Sequence, residues 1–138
     1  MQGERPVAQA SGCTGKPSLH GCRVLIIEDE YLLASELEEV LRASRAEIIG
    51  PIHDLDSAFE QVAAGGFDVA IIDINLHGQQ SYEIADELKR IGVPFLFATG
   101  YGEDVIPARL RDVVRFEKPY NMSKLLEYVG KLCRETTA

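Results

Sequence analysis

The chain has 138 residues, 46% of them apolar and 26% charged, with a net charge of −8 at pH 7. That length suits one domain with a substantial core. The acidic balance argues against a nucleic-acid or membrane-surface binder, whose affinity rests on clustered Lys and Arg, and no apolar stretch is long enough to insert into a bilayer.

Residues 1–21 combine Gln, Gly, Pro, Ser, Thr and Lys with few apolar side chains and no periodicity. Such a segment cannot offset its ordering entropy by burial, so it reads as a mobile tail, leaving 22–138 as the folded domain. Cys22–Ile27 is expected as a first strand, an unbroken apolar run of the kind covered on both faces. Leu33, Leu37, Val40, Leu41 and Ser44 recur at helical spacing and predict a first helix. Glu47–Ile49 predicts a short second strand, stopped by Gly50-Pro51.

Asp54 or Asp56 is expected to cap a second helix carrying Ala58, Phe59, Val62 and Ala63 inward, with Gly65-Gly66 ending it. Phe67–Asp73 predicts the third strand. A third helix, capped by Ser81 and closed by Gly92, turns Ile84, Ala85, Leu88 and Ile91 inward. Pro94–Ala98 predicts the fourth strand, Glu103–Arg111 a weak fourth helix interrupted by Pro107, and Val113–Glu117 the fifth strand. Asn121 or Ser123 starts a last helix that buries Leu125, Leu126, Val129, Leu132 and Cys133. Strands alternating with helices imply an α/β fold, a parallel sheet with helices on both faces.

The three cysteines, Cys13, Cys22 and Cys133, are widely spaced and odd in number. They match neither a disulfide framework nor a zinc pattern, and Cys22 and Cys133 read as buried small hydrophobes in a reducing cytoplasm.

Chemistry concentrates at strand ends. Val24-Leu25-Ile26-Ile27 runs into Glu28-Asp29-Glu30, Val69-Ala70-Ile71-Ile72 into Asp73, and Val113-Val114-Arg115-Phe116 precedes Lys118-Pro119. In open parallel sheets ligands bind beyond the carboxyl ends of the strands, so Asp29, Asp73, Thr99 and Lys118 are expected to converge. Taken singly, each has an ordinary reading as a solvated loop-edge side chain; it is the conjunction that predicts a pocket. Crowded carboxylates call for a cation, and Mg²⁺ suits one or two carboxylates plus phosphate oxygens. Asp73 is then a candidate nucleophile toward phosphorus, with Lys118 offsetting charge on the transferred group and Thr99 donating a hydrogen bond to it. Glu30 reads as a helix-start acid. His20, His53 and His77 read as scattered surface histidines, and Tyr82 and Tyr120 as packing residues.

These motifs carry a resemblance. With Ile71-Ile72-Asp73-Ile74-Asn75-Leu76, Phe97-Ala98-Thr99-Gly100 and Phe116-Glu117-Lys118-Pro119-Tyr120, the chain resembles the receiver domain of two-component response regulators from about Arg23 to Arg134. The resemblance implies a single flavodoxin-like three-layer sandwich, five parallel strands in the order 2-1-3-4-5. It implies that Asp73 accepts a phosphoryl group from a histidine kinase or histidine phosphotransferase. It also implies that Glu28, Asp29, Asp73 and the Asn75 backbone carbonyl hold Mg²⁺, that Thr99, Gly100 and Lys118 engage the phosphoryl group, and that Lys118-Pro119 is cis.

Phe97-Ala98-Thr99-Gly100-Tyr101-Gly102 is similar to the "FAT GUY" subgroup of stand-alone alphaproteobacterial receivers, linked to general stress signalling. One position departs from the wider family. Where many receivers carry an aromatic switch residue on the fifth strand, this chain has Arg115, with Tyr101 a candidate substitute. The expected function is therefore phosphorelay signalling in the cytoplasm, through contact with a downstream protein or onward relay. Two alternatives are an interaction module that works without phosphorylation and an aspartate-nucleophile phosphohydrolase. The second is weakened because Asn75 stands where such enzymes place a general-acid Asp.

Overall fold

β1 (Arg23–Ile27) directs Val24 and Ile26 into one layer and Leu25 and Ile27 into the other, and all four are fully buried. A central strand covered on both faces leaves no place for polar alternation, which is why its sequence is a continuous apolar run. The computed structural model describes residues 18–100 and 106–137. Within them β1 is followed by α1 (Tyr31–Ala43), β2 (Glu47–Ile52), α2 (Leu55–Ala64), β3 (Val69–Asp73), α3 (Tyr82–Ile91), β4 (Phe95–Thr99), β5 (Arg115–Glu117) and α4 (Met122–Thr137).

The strands form one parallel sheet in the order β2-β1-β3-β4-β5, as expected. α1 and α4 cover one face through Leu37, Leu41, Leu125, Leu126 and Val129. α2 and α3 cover the other through Ala58, Val62, Ile84, Ala85 and Leu88. The result is a flavodoxin-like three-layer sandwich with every strand pointing its carboxyl end to the same edge.

Local details differ from the sequence reading. β2 does not stop at Gly50-Pro51 but runs on to Ile52, through a register shift opposite Leu25–Ile27 and a cis Gly50-Pro51 bond. An edge strand tolerates proline because one side of its ladder has no partner to lose. Gly50 is required there: its φ is +98°, and a Cβ would meet Ile26 O and Ile52 N at 2.9 Å.

Of the two candidate caps for α2, Asp54 is the cap, accepting from Ser57 N at 2.8 Å. Ala63 and Ile91, expected to face inward, are exposed. Asn121 starts α4, its Oδ1 accepting from Lys124 N at 3.1 Å. Of the expected fourth helix, the described residues show a 3₁₀ turn, Ala108–Leu110, with Pro107 as its cap. Residues 103–105, the start of that expected helix, lie outside the described residues.

Leu19 departs from its reading as part of a mobile tail: it is 2% exposed and packs with Cys22 and Val24, its N–H bonded to Ser44 O. Cys22 and Cys133 are buried as expected, but they are paired in a disulfide, with Cα atoms 6.1 Å apart. Their sequence spacing hid this. α4 folds back across β1, and only that packing brings the residue before β1 against the far end of the last helix.

Candidate functional site

Asp73 ends β3 and is 4% exposed, while Glu28 follows β1 and is 1% exposed. Lys118, one residue beyond β5, reaches back between them. Its Nζ donates to Asp73 Oδ2 at 3.0 Å and to Glu28 Oε2 at 3.1 Å. It also meets Glu30 Oε1 at 3.3 Å, so Glu30 does more than start a helix. Lys118-Pro119 is cis, and Lys118 N donates to Thr99 O at 2.9 Å, tying this loop to the end of β4. Thr99 is buried and its Oγ1 donates to Gly100 O at 2.9 Å.

The acidic residues do converge. Glu28, Asp29 and Asp73 each offer a carboxylate oxygen, and these atoms lie within 4.8 Å of one another. Burial pushes the Asp73 carboxyl up to about 8, helped by the hydrogen bond and charge of Glu28, while Lys118 pulls the other way. Lys118 itself loses basicity to burial, but the charges of Asp73 and Glu28 outweigh that and hold its ammonium above its ordinary range. For Asp29, burial acts upward, yet hydrogen bonds from His77 N, Asp73 and its own backbone prevail, and the carboxyl lies below its ordinary value.

Does this donor set fit a hard dication? Glu28 Oε1 is buried with no hydrogen-bond partner among the described residues. An acceptor left so is costly, and three carboxylates faced by a single ammonium carry surplus negative charge. Oxygen donors of this kind suit Mg²⁺, so the residues fit.

Other expected residues fall at the rim. Asn75 sits on a two-stranded hairpin, Asn75–Leu76 with Gln79–Gln80; its N donates to Asp73 Oδ1 at 3.1 Å and its Oδ1 accepts from Gly78 N at 2.8 Å. Arg115 begins β5 and is exposed, so no side chain swings inward from this position. Tyr101 lies outside the described residues.

Three residues escaped the sequence reading. His77, set aside as a surface side chain, adopts a φ of +52°, donates its N–H to Asp29 Oδ2 at 2.9 Å and holds Nδ1 3.6 Å from the same oxygen. His53 Nδ1 lies 2.8 Å from the Glu28 carbonyl oxygen, and its ring packs on Tyr31. Ser81 makes no side-chain cap. Its buried Oγ instead donates to Asp73 O at 2.7 Å and Ile74 O at 3.2 Å, fixing the backbone on which the central carboxylate hangs. Only the position of His77 in the loop after Asp73 hinted at any of this.

Residues 24–130 match the family described as Response regulator receiver domain. The chain belongs to that family. Membership places it in two-component, phosphorelay signalling. The receiver is 30% identical over 113 residues to the sensory transduction protein LytT of Bacillus subtilis, an overlap of 79% of this chain and 47% of LytT. It spans about half the length of the curated relatives it matches.

Among solved structures, SdrG from Sphingomonas melonis Fr1 is 35% identical with a TM-score of 0.72, over 80% of this chain and 95% of that one. Its BeF3-activated conformation gives 34% and 0.67, with the same coverage. The receiver of PhyR from Erythrobacter litoralis is 26% identical with a TM-score of 0.69, over 87% of this chain and 95% of that one. No helix among the described residues is long and apolar enough to cross a membrane.

Proposed function

We propose that this receiver accepts a phosphoryl group on Asp73 from a histidine kinase or histidine phosphotransferase in the cytoplasm. The observation that carries the reading is Lys118 Nζ, 3.0 Å from Asp73 Oδ2 and 3.1 Å from Glu28 Oε2, at the rim of a three-carboxylate cluster. Glu28, Asp29, Asp73 and the Asn75 carbonyl would hold Mg²⁺, which would supply positive charge to offset the carboxylates and the phosphoryl group.

An Asp73 carboxylate oxygen attacks phosphorus, the phosphorus–nitrogen bond of the phosphohistidine breaks, and the leaving imidazole takes up a proton. Lys118 offsets charge on the phosphoryl oxygens, and Thr99 and Gly100 bind the transferred group. A groove of about 970 Å³ beside Lys118 and Pro119, floored by Tyr31, Leu32 and Leu33, is the docking place for the phosphodonor protein. Tyr31 and Leu32 are 70% and 85% exposed there.

Output passes to a downstream protein or by further relay, with Tyr101 rather than Arg115 as the switch aromatic. The run Phe97-Ala98-Thr99-Gly100-Tyr101-Gly102 supports assignment to the "FAT GUY" subgroup and to general stress signalling. That a neighbour, SdrG, has a BeF3-activated conformation supports the same site chemistry.

The test is labelling by acetyl phosphate with Mg²⁺, read by intact mass under acidic quench. The wild-type chain gains one phosphoryl group and Asp73→Asn gains none. Equal labelling of the variant overturns the site, and no labelling of the wild type by any donor leaves the phosphorylation-independent module as the answer.

A further inference from the structure

Cys22 and Cys133 meet at the edge of the sheet opposite the carboxylates. Cys22 directly precedes β1, whose other end leads to Glu28, about 20 Å away at the rise of an extended strand. Cys133 lies near the end of α4, whose other end follows Lys118-Pro119. The Lys118–Glu28 ion pair thus links the loop after β1 to the loop before α4 at the upper edge, and sulfur links Cys22, just before β1, to α4 at the lower.

In a kinase-fed cytoplasmic receiver, the reading on which this inference rests, a permanent disulfide is out of place, because cytosolic disulfides in ordinary cells are mostly transient and redox-sensing. Reagents have a route to this one. A cleft of about 240 Å³ lined by Leu19, His20, Gly21, Gly130 and Arg134 opens onto both cysteines. Arg134 also lines that cleft, and a cation beside a thiol favours the thiolate that performs exchange.

We propose that Cys22 and Cys133 are a reversible thiol–disulfide modification site, oxidised by small disulfides of the glutathione class, whose closure clamps α4 to β1. The Cys133 thiolate attacks one sulfur of the oxidant, forming a mixed disulfide and expelling one thiolate. The Cys22 thiolate then attacks Cys133 sulfur, forming the internal bond and expelling the second thiolate. The two cysteine protons end on the two released thiols, so two cysteines are oxidised as one disulfide is reduced. Asp68, with a carboxylate oxygen within 4.8 Å of both sulfurs, is gripped by Arg23 through Nε at 3.2 Å and Nη2 at 3.1 Å and so stays out of the exchange.

The experiment equilibrates the full chain in glutathione buffers of increasing oxidised fraction, traps free thiols with a maleimide, and maps the peptides by mass. The expected result is joint loss of the Cys22 and Cys133 thiols across the series, with the two peptides recovered cross-linked, reversed by dithiothreitol. Amide exchange in the second half of α4 slows by about tenfold or more on oxidation, and a Cys22→Ser/Cys133→Ser chain shows no such change. If that variant does not fold, the peptide map on the native chain decides alone.

Three results overturn the proposal: thiols that never pair, a bond that native-state reduction cannot open, or reduced protein that takes up zinc and shields both thiols from the oxidant. Asp73 labelling is scored in the same samples. Labelling with unpaired thiols sinks only the redox site, and pairing without labelling sinks only the phosphoacceptor reading.

Discussion

At the carboxyl end of the strands, Asp73, Glu28 and Asp29 crowd together with the Lys118 ammonium among them, and Glu28 Oε1 has no hydrogen-bond partner among the described residues. At the amino end, the carboxylate of Asp68 is fully engaged. Arg23 grips it with its backbone N–H at 2.9 Å and with two guanidinium nitrogens, holding its carboxyl below the ordinary range. The same residue types thus meet opposite fates at the two ends of one sheet. Where every acceptor is matched, the contacts serve stability; where charge is left in surplus, the residues suit a cation.

The sharpest way to break this contrast is to remove Lys118. Lys118→Met takes away the cation that pairs with Asp73 and Glu28, and the rate of acetyl phosphate labelling is expected to fall by about 10²-fold, as for loss of a single donor to a developing charge. An unchanged rate would show that the lysine is only a structural partner. Ser81→Ala comes next. It strips the Asp73 and Ile74 carbonyls of a buried donor, with an expected loss of about 1–3 kcal/mol in urea unfolding. Labelling should also slow, because the carboxylate loses its backbone anchor.

The surplus charge itself can be titrated. Because the folded Asp73 carboxyl lies at about 8 against an ordinary value of 3.8, its contribution to stability is fully present below about pH 4 and is lost as pH rises through about 8. In chelator, Asp73→Asn should therefore stabilise the chain by about 2 kcal/mol at pH 9 and by much less at pH 5. Denaturant midpoints at the two pH values decide it, and a gain that shrinks with pH contradicts the electrostatic account. The smallest effect belongs to the other edge. Arg23→Ala breaks a pair that is 45% exposed on the arginine side, so it should cost about 1 kcal/mol or less and leave Asp73 labelling unaltered.

Much of this was legible beforehand. Apolar runs closed by Gly, Pro and acidic residues gave the strands and their order in the chain, because a strand buried on both faces must be apolar throughout. Less legible were features that depend on an element's neighbours. Gly50-Pro51 read as a stop, yet β2 continues because it lies at the sheet edge and Gly50 adopts a positive φ. Ser81 read as a cap by composition, but a buried hydroxyl bonds wherever the nearest carbonyls stand, and here those belong to Asp73 and Ile74.

The amino-acid order alone determined the α/β sandwich and the residue types that the carboxyl edge would gather, since both follow from periodicity and from where charged side chains interrupt apolar runs. Tertiary structure alone decided which sulfurs meet, which carboxylates share Lys118, and that His77 leans on Asp29. Those pairings span tens to more than a hundred residues of chain, and distances of that kind are set by helix packing across the sheet, on which local sequence is silent.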